Sequence, residues 1–136
     1  MKVREVMTTD NVLTIGEEDS LATAAHRMTW TPCRHLPVVK GGEVVGVISE
    51  RDILAQIASG RRLDGPTDLV RTAMVAPATV ASPDDDIGEA AARMLSYRIG
   101  CLPVVGDHGR LLGMLTRGDL LGRIVAQMYT PTLDRG

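Results

Sequence analysis

The sequence predicts an α/β fold built from two similar units, each running strand, helix, strand, strand, helix, related by a pseudo-twofold axis. Three observations predict it. Gly46-Val47-Ile48-Ser49-Glu50-Arg51-Asp52 returns as Gly113-Met114-Leu115-Thr116-Arg117-Gly118-Asp119, with Gly, Ser/Thr and Asp at the same places. Leu36-Pro37-Val38-Val39 returns as Leu102-Pro103-Val104-Val105, and Val3-Arg4-Glu5-Val6-Met7 as Val70-Arg71-Thr72-Ala73-Met74. Around these anchors the apolar residues change from β-like runs to helical spacing in the same order twice, the mark of an internal duplication.

Each element follows from local pattern. Asn11 to Ile15 is a short apolar and β-branched run and reads as a strand; Leu13-Thr14-Ile15 pairs with Ala78-Thr79-Val80 in the second copy. Ser20 is placed to cap a helix in which Leu21, Ala24, Ala25 and Met28 share a face. Asp86, Ile87, Ala90, Ala91 and Met94 repeat that arrangement. Leu36 to Val39 and Glu43 to Ile48 read as a hairpin about Gly41-Gly42, and Leu102 to Val105 and Arg110 to Leu115 as its counterpart about Gly106-Asp107-His108-Gly109. Helices follow, with apolar stripes at Ile53, Leu54, Ile57 and Ala58 and at Leu120, Leu121, Ile124, Val125 and Met128. The breaker-rich, polar segment 59–68 separates repeat 1–58 from repeat 69–129, and 130–136 reads as a frayed tail.

Composition narrows the function classes. Half of 136 residues is near the lower limit for an independent core, so the halves are expected to share one. Phe is absent, which leaves that core to aliphatic residues and Met. The net charge is -2 and no Lys/Arg run exceeds two residues, against a phosphate-neutralising nucleic-acid surface. No apolar run approaches the roughly 20 residues that span a bilayer, and no signal-peptide core follows Met1; a cytoplasmic protein with Cys33 and Cys101 reduced and buried is expected.

The repeated turn has two readings. Ser49 with Asp52, and Thr116 with Asp119, have the spacing of a capping box. The same helix start also offers free amides and partial positive charge to a phosphate, a hydroxyl beside them, and a carboxylate able to accept from ribose hydroxyls. Gly46 and Gly113 would let a flat base or sugar approach the strand backbone.

With both turns, both Leu-Pro-Val-Val runs and both Val-Arg-x-x-Met openings present, the chain resembles a tandem pair of CBS domains (a Bateman module), the family named after cystathionine β-synthase, over about Val3 to Met128. The resemblance implies a non-enzymatic regulatory module for an adenosine ligand: AMP, ADP, ATP or S-adenosylmethionine. It implies two clefts between the repeats. Carried over, the first would use Asp52 for ribose and Ser49, Arg34 and His35 toward phosphate, with Ala78, Thr79, Ile99 and Cys101 around the base. The second would use Asp119 and Thr116, with Val12, Leu13 and Cys33 on the base side. Since Gly100-Cys101 stand where Arg34-His35 do, the first site is expected to bind phosphorylated adenosine more tightly. The resemblance also implies a disc-like homodimer through the helices carrying Leu54, Ile57, Leu121 and Val125, and a protein target that reads the ligand state. A ligand-free interaction module, its motif residues acting only as caps, is the alternative.

Other residues carry blander readings. Cys33-x-His35 with Cys101 offers three metal donors where a structural zinc takes four, so no metal is expected. Asp84-Asp85-Asp86 suits a helix N-terminus better than a cation site. His26 and His108 read as surface residues. Met28 and Trp30 read as packing residues, Trp30 near Pro32 having a partner surface as its other reading. No His or Lys adjoins Ser49 or Thr116 in sequence to activate a nucleophile, so no catalytic residue is expected.

Overall fold

A computed structural model describes residues 1–31 and 33–133. The elements are α1 (Leu21–Met28), β1 (His35–Lys40), β2 (Glu43–Ser49), α2 (Glu50–Ala58), α3 (Ile87–Tyr97), β3 (Cys101–Val105), β4 (Leu111–Thr116) and α4 (Arg117–Leu133). Helix starts obey their capping signals: Ser20 accepts from the Thr23 amide, and Asp86 from the Gly88 amide. Strands β1 and β2 form one antiparallel hairpin and β3 and β4 the other.

Each hairpin is widened by isolated bridges on either side. Ile15 runs parallel to Val38 and Ala81 to Val104, while Val75 lies antiparallel to Val47 and Thr8 to Met114. This geometry accounts for proline inside both β1 and β3. Pro37 lies opposite Val47 and Pro103 opposite Met114. The Val47 and Met114 amides point outward, to the Val75 and Thr8 carbonyls at 3.0 and 2.9 Å. The proline nitrogens therefore also face away from the hairpin partner, and the missing N–H removes no bond between the two strands.

The expected strand Asn11–Ile15 shrinks to the one bridge at Ile15. Asn11 turns left-handed (φ 57°) and the Thr14 carbonyl is taken by the Arg27 guanidinium at 2.6 Å, which leaves Ile15 alone to pair. The second copy repeats this with Arg93 on the Val80 carbonyl at 2.7 Å and Ala81 in the bridge. Ile15 thus corresponds to Ala81, not Val80, and the sequence pairing of Leu13-Thr14-Ile15 with Ala78-Thr79-Val80 slips by one residue. The tail expected to fray from residue 130 instead continues α4 through Leu133; residues 134–136 lie outside the described residues. Trp30, expected to pack, is 73% exposed; Pro32 lies outside the described residues.

The aliphatic cores do not follow chain order. One gathers Ile15, Leu21, Met28, Leu36, Val38, Ile48 and Ile53, and includes Val70; the other gathers Ala81, Met94, Leu102, Val104 and Leu115, and includes Val3. Each opening segment is therefore packed under the other hairpin. The Val3 amide bonds the Asp85 carbonyl (2.9 Å) and the Val70 amide the Asp19 carbonyl (2.8 Å). Residues 59–68, read as a connector, lie against α1, where Leu63 accepts from Ala22 and Asp68 from Leu21.

The same exchange explains the glycines of the repeated turn. A Cβ on Gly46 would lie 2.8 Å from the Val75 carbonyl oxygen, and one on Gly113 2.6 Å from that of Thr8. The space expected to admit a base is filled by the chain itself. Gly46→Ala and Gly113→Ala should each lower unfolding stability by about 1–3 kcal/mol, because backbone must move. Gly122→Ala in α4, where a Cβ meets nothing within 4 Å, should instead raise it by about 0.8–1 kcal/mol. Urea unfolding of the three variants checks both signs.

Candidate functional site

The strand-to-helix turns close as capping boxes. In the first, the Ser49 amide and hydroxyl both donate to Asp52 Oδ2 (2.8 and 2.9 Å) and the Asp52 amide returns a bond to Ser49 Oγ at 3.2 Å. In the second, the Thr116 amide donates to Asp119 Oδ2 at 2.8 Å and the Asp119 amide to Thr116 Oγ1 at 3.0 Å. The free oxygens differ. Asp119 Oδ1 accepts from the Thr8 hydroxyl at 2.8 Å. Val75 stands at the place of Thr8 in the first turn, so Asp52 Oδ1 has no protein partner among the described residues.

Each box faces a cleft between the repeats. The larger, about 270 Å³, is walled by Val12, Leu13, Cys33, Thr116 and Asp119, and also by Thr8, Asn11, Thr31, His35, Pro37, Met114 and Gly118. All five residues expected for the second site meet there. The smaller, about 120 Å³, brings together His35, Ser49, Asp52, Ala78, Thr79, Ile99 and Cys101, with Val47 and Val75 added. Seven of the eight residues expected for the first site meet there; the eighth, Arg34, does not line it.

Arg34 turns left-handed (φ 55°), and its guanidinium leaves the cleft to pair with Glu50 at 3.2 Å, mostly in solvent. His35 lines both clefts. The cationic contrast expected between the sites is therefore absent from the clefts, and the difference lies in volume and in Thr8 against Val75. Thr8 and Val75 were beyond sequence reasoning because each reaches its cleft through the exchanged segments. Their one signal is that each directly follows a Val-Arg-x-x-Met opening.

Where the clefts adjoin, Cys33, His35 and Cys101 bring one donor atom each to within 4.8 Å of one another. His35 Nδ1 lies 2.6 Å from the Cys33 carbonyl oxygen, which only accepts, so Nδ1 carries the proton and Nε2 is left open. Hydrogen bonding from the Cys101 side chain, then from His35, holds the Cys33 thiol well below its ordinary range, against the opposing effect of burial. The same Cys33–Cys101 bond and burial push the Cys101 thiol up. The Cys33 side chain raises His35, and the Asp52 charge adds to it.

Among the described residues no helix is long and apolar enough to cross a membrane. Comparison with known proteins agrees with the architecture. The model of the CBS domain matches residues 3–59 and again 68–126. The homoserine O-acetyltransferase of Methanococcus vannielii is 30% identical over 124 residues, spanning 90% of this chain but 25% of the enzyme. An uncharacterised protein of Methanocaldococcus jannaschii, MJ1426, is 29% identical over 156 residues and matched across 92% of both chains. The solved structure of CBSX2 in complex with AMP superposes with a TM-score of 0.78 at 26% identity, over 93% of this chain and 97% of the other. With both repeats matched by the family model and the clefts lying between them, the chain belongs to the CBS-domain family, as a tandem pair.

Proposed function

We propose that the chain is a regulatory module that binds an adenosine ligand, AMP, ADP, ATP or S-adenosylmethionine, in the clefts between its repeats and passes ligand state to a protein target. The observation that carries this reading is the larger cleft. Its surface is mainly apolar, with Val12, Leu13, Pro37 and Met114 in the walls to suit a base, and a helix start brings Thr116 and Asp119 to it together. The Thr8 hydroxyl already donates to Asp119 Oδ1 as a ribose hydroxyl would. CBSX2, solved with AMP, supplies the ligand class by likeness. On this reading Asp119 holds ribose, the α4 N-terminus and Thr116 face phosphate, and Val12, Leu13 and Cys33 flank the base. Asp52 and Ser49 serve the smaller cleft in the same way. The larger cleft is the tighter site, since Arg34 contributes to neither.

The capping boxes are complete without ligand, and that favours the interaction module as the second reading. Thermal melting with millimolar AMP, ADP, ATP or S-adenosylmethionine separates the two. A ligand at 100 times its dissociation constant stabilises the fold by about 2.7 kcal/mol. A melting temperature unmoved by the whole panel leaves the interaction module.

Two variants test the residue assignments. Asp119→Asn should weaken binding about tenfold or more, the loss of a charge-assisted contact of about 1.5–3 kcal/mol. Arg34→Ala should leave affinity within about twofold, as titration calorimetry on both will show.

Leu54 and Ile57 on α2, and Leu121 and Val125 on α4, are half or more exposed. Homodimerisation through these helices belongs to the same proposal. Leu121→Glu should bring the mass in sedimentation equilibrium down to that of one chain, while AMP binding within the chain persists.

A further inference from the structure

We propose that Cys33, His35 and Cys101 form a binding site for a thiophilic cation of the zinc(II) class, held by three protein ligands and open at a fourth position. The inference is independent of the nucleotide reading. Three donors that the sequence scatters over 69 positions converge within 4.8 Å. Two sulfurs and one imidazole are the donor set that selects zinc or copper(I) over magnesium or calcium. Tetrahedral zinc, with Zn–S about 2.3 Å and Zn–N about 2.0 Å, places its donors about 3.5–3.8 Å apart. A contraction on the order of 1 Å closes the site, and half-buried Cys33, in the bend before β1, is the donor placed to make it.

Two details point to a ligand role rather than packing. The Cys33 carbonyl fixes the imidazole with its proton on Nδ1, the outer-shell contact that metal-binding histidines use to present Nε2. Further, Leu36 and Leu102 are equivalent in β1 and β3, so His35 and Cys101 are symmetry mates and the cluster straddles the pseudo-twofold axis. The mate of Cys33 is Ile99, which lines the smaller cleft and a groove shared with Cys33 and His35. Of four axial positions three carry donors; the fourth is apolar and leaves room for water or a bound ligand's donor. A metal here would join the two repeats, since Cys33 and His35 come from one and Cys101 from the other.

The test is cobalt(II) titration of the full chain, kept reduced with a phosphine, followed by zinc(II). One equivalent of cobalt should give thiolate-to-metal charge-transfer absorption, and zinc should abolish it. Cys33→Ser and His35→Ala should weaken cobalt affinity at least tenfold while their metal-free melting shows a cooperative fold. Ile99→Cys should tighten it at least tenfold by supplying the fourth donor. His108→Ala, in an exposed turn, should change nothing. No charge-transfer band in the parent chain overturns the proposal, as does a band that survives in Cys33→Ser with unchanged affinity.

Discussion

The exchange of opening segments is the constraint on which the rest depends. Val3 lies under the second hairpin and Val70 under the first, both fully buried. A buried valine contributes about 1.5–3 kcal/mol relative to an exposed one, so each half lacks an anchor when alone. The bridges that complete each hairpin's outer edge, at Val75 and Thr8, also arrive from the opening segments. The duplication is therefore not two beads joined by a connector. Each unit closes only when the other is present, and the pseudo-twofold relation is a condition of folding as well as a description of it.

The clefts are a by-product of that exchange. Once Thr8 is fixed on β4, the chain from Asn11 to Leu13 must cross beside the Thr116–Asp119 turn to reach Ile15 in the other hairpin. Once Val75 is fixed on β2, Ala78 and Thr79 must pass the Ser49–Asp52 turn to reach Ala81. The walls of both clefts are chain in transit between cores. That accounts for their irregular backbone and for the absence of a regular strand where the apolar run Asn11–Ile15 suggested one. The helix starts beside them have a double use. The Ser/Thr and Asp side chains satisfy orphan amides locally, yet each carboxylate keeps one oxygen that no helical amide needs.

What was legible in the sequence was local or repeated. The capping boxes and helices rest on residues within four positions of one another and the hairpins on residues no more than 15 apart, and duplication supplied each signal twice. The cleft residues near the repeated turn were legible through the resemblance. Three things were not. The register of the early segment depended on Arg27 and Arg93 capturing the Thr14 and Val80 carbonyls, a contact that apolar pattern does not encode. The side to which Arg34 points depended on a left-handed backbone and on Glu50 sixteen residues away. Thr8 reached Asp119 across 111 positions, through an exchange that repeat counting cannot reveal.

Symmetry also locates where the two halves differ. Backbone-dictated features recur in pairs: the bridges, the prolines, the glycines against carbonyl oxygens, the arginines on carbonyls. Side chains differ more freely, in the cores, where Ile15 answers to Ala81 and Ile48 to Leu115, as well as at the axis and clefts. Thr8 opposes Val75 and sets the two carboxylates apart. Cys33 opposes Ile99, and His35 opposes Cys101, which gathers three donor side chains at the axis with an apolar one in the fourth place. A duplicated fold must keep the first class of residue in both copies to keep its cores, and is free to vary the second. The clefts of about 270 and 120 Å³ thus share one plan of crossing chain with different contents, and unequal ligand binding needs no difference in fold.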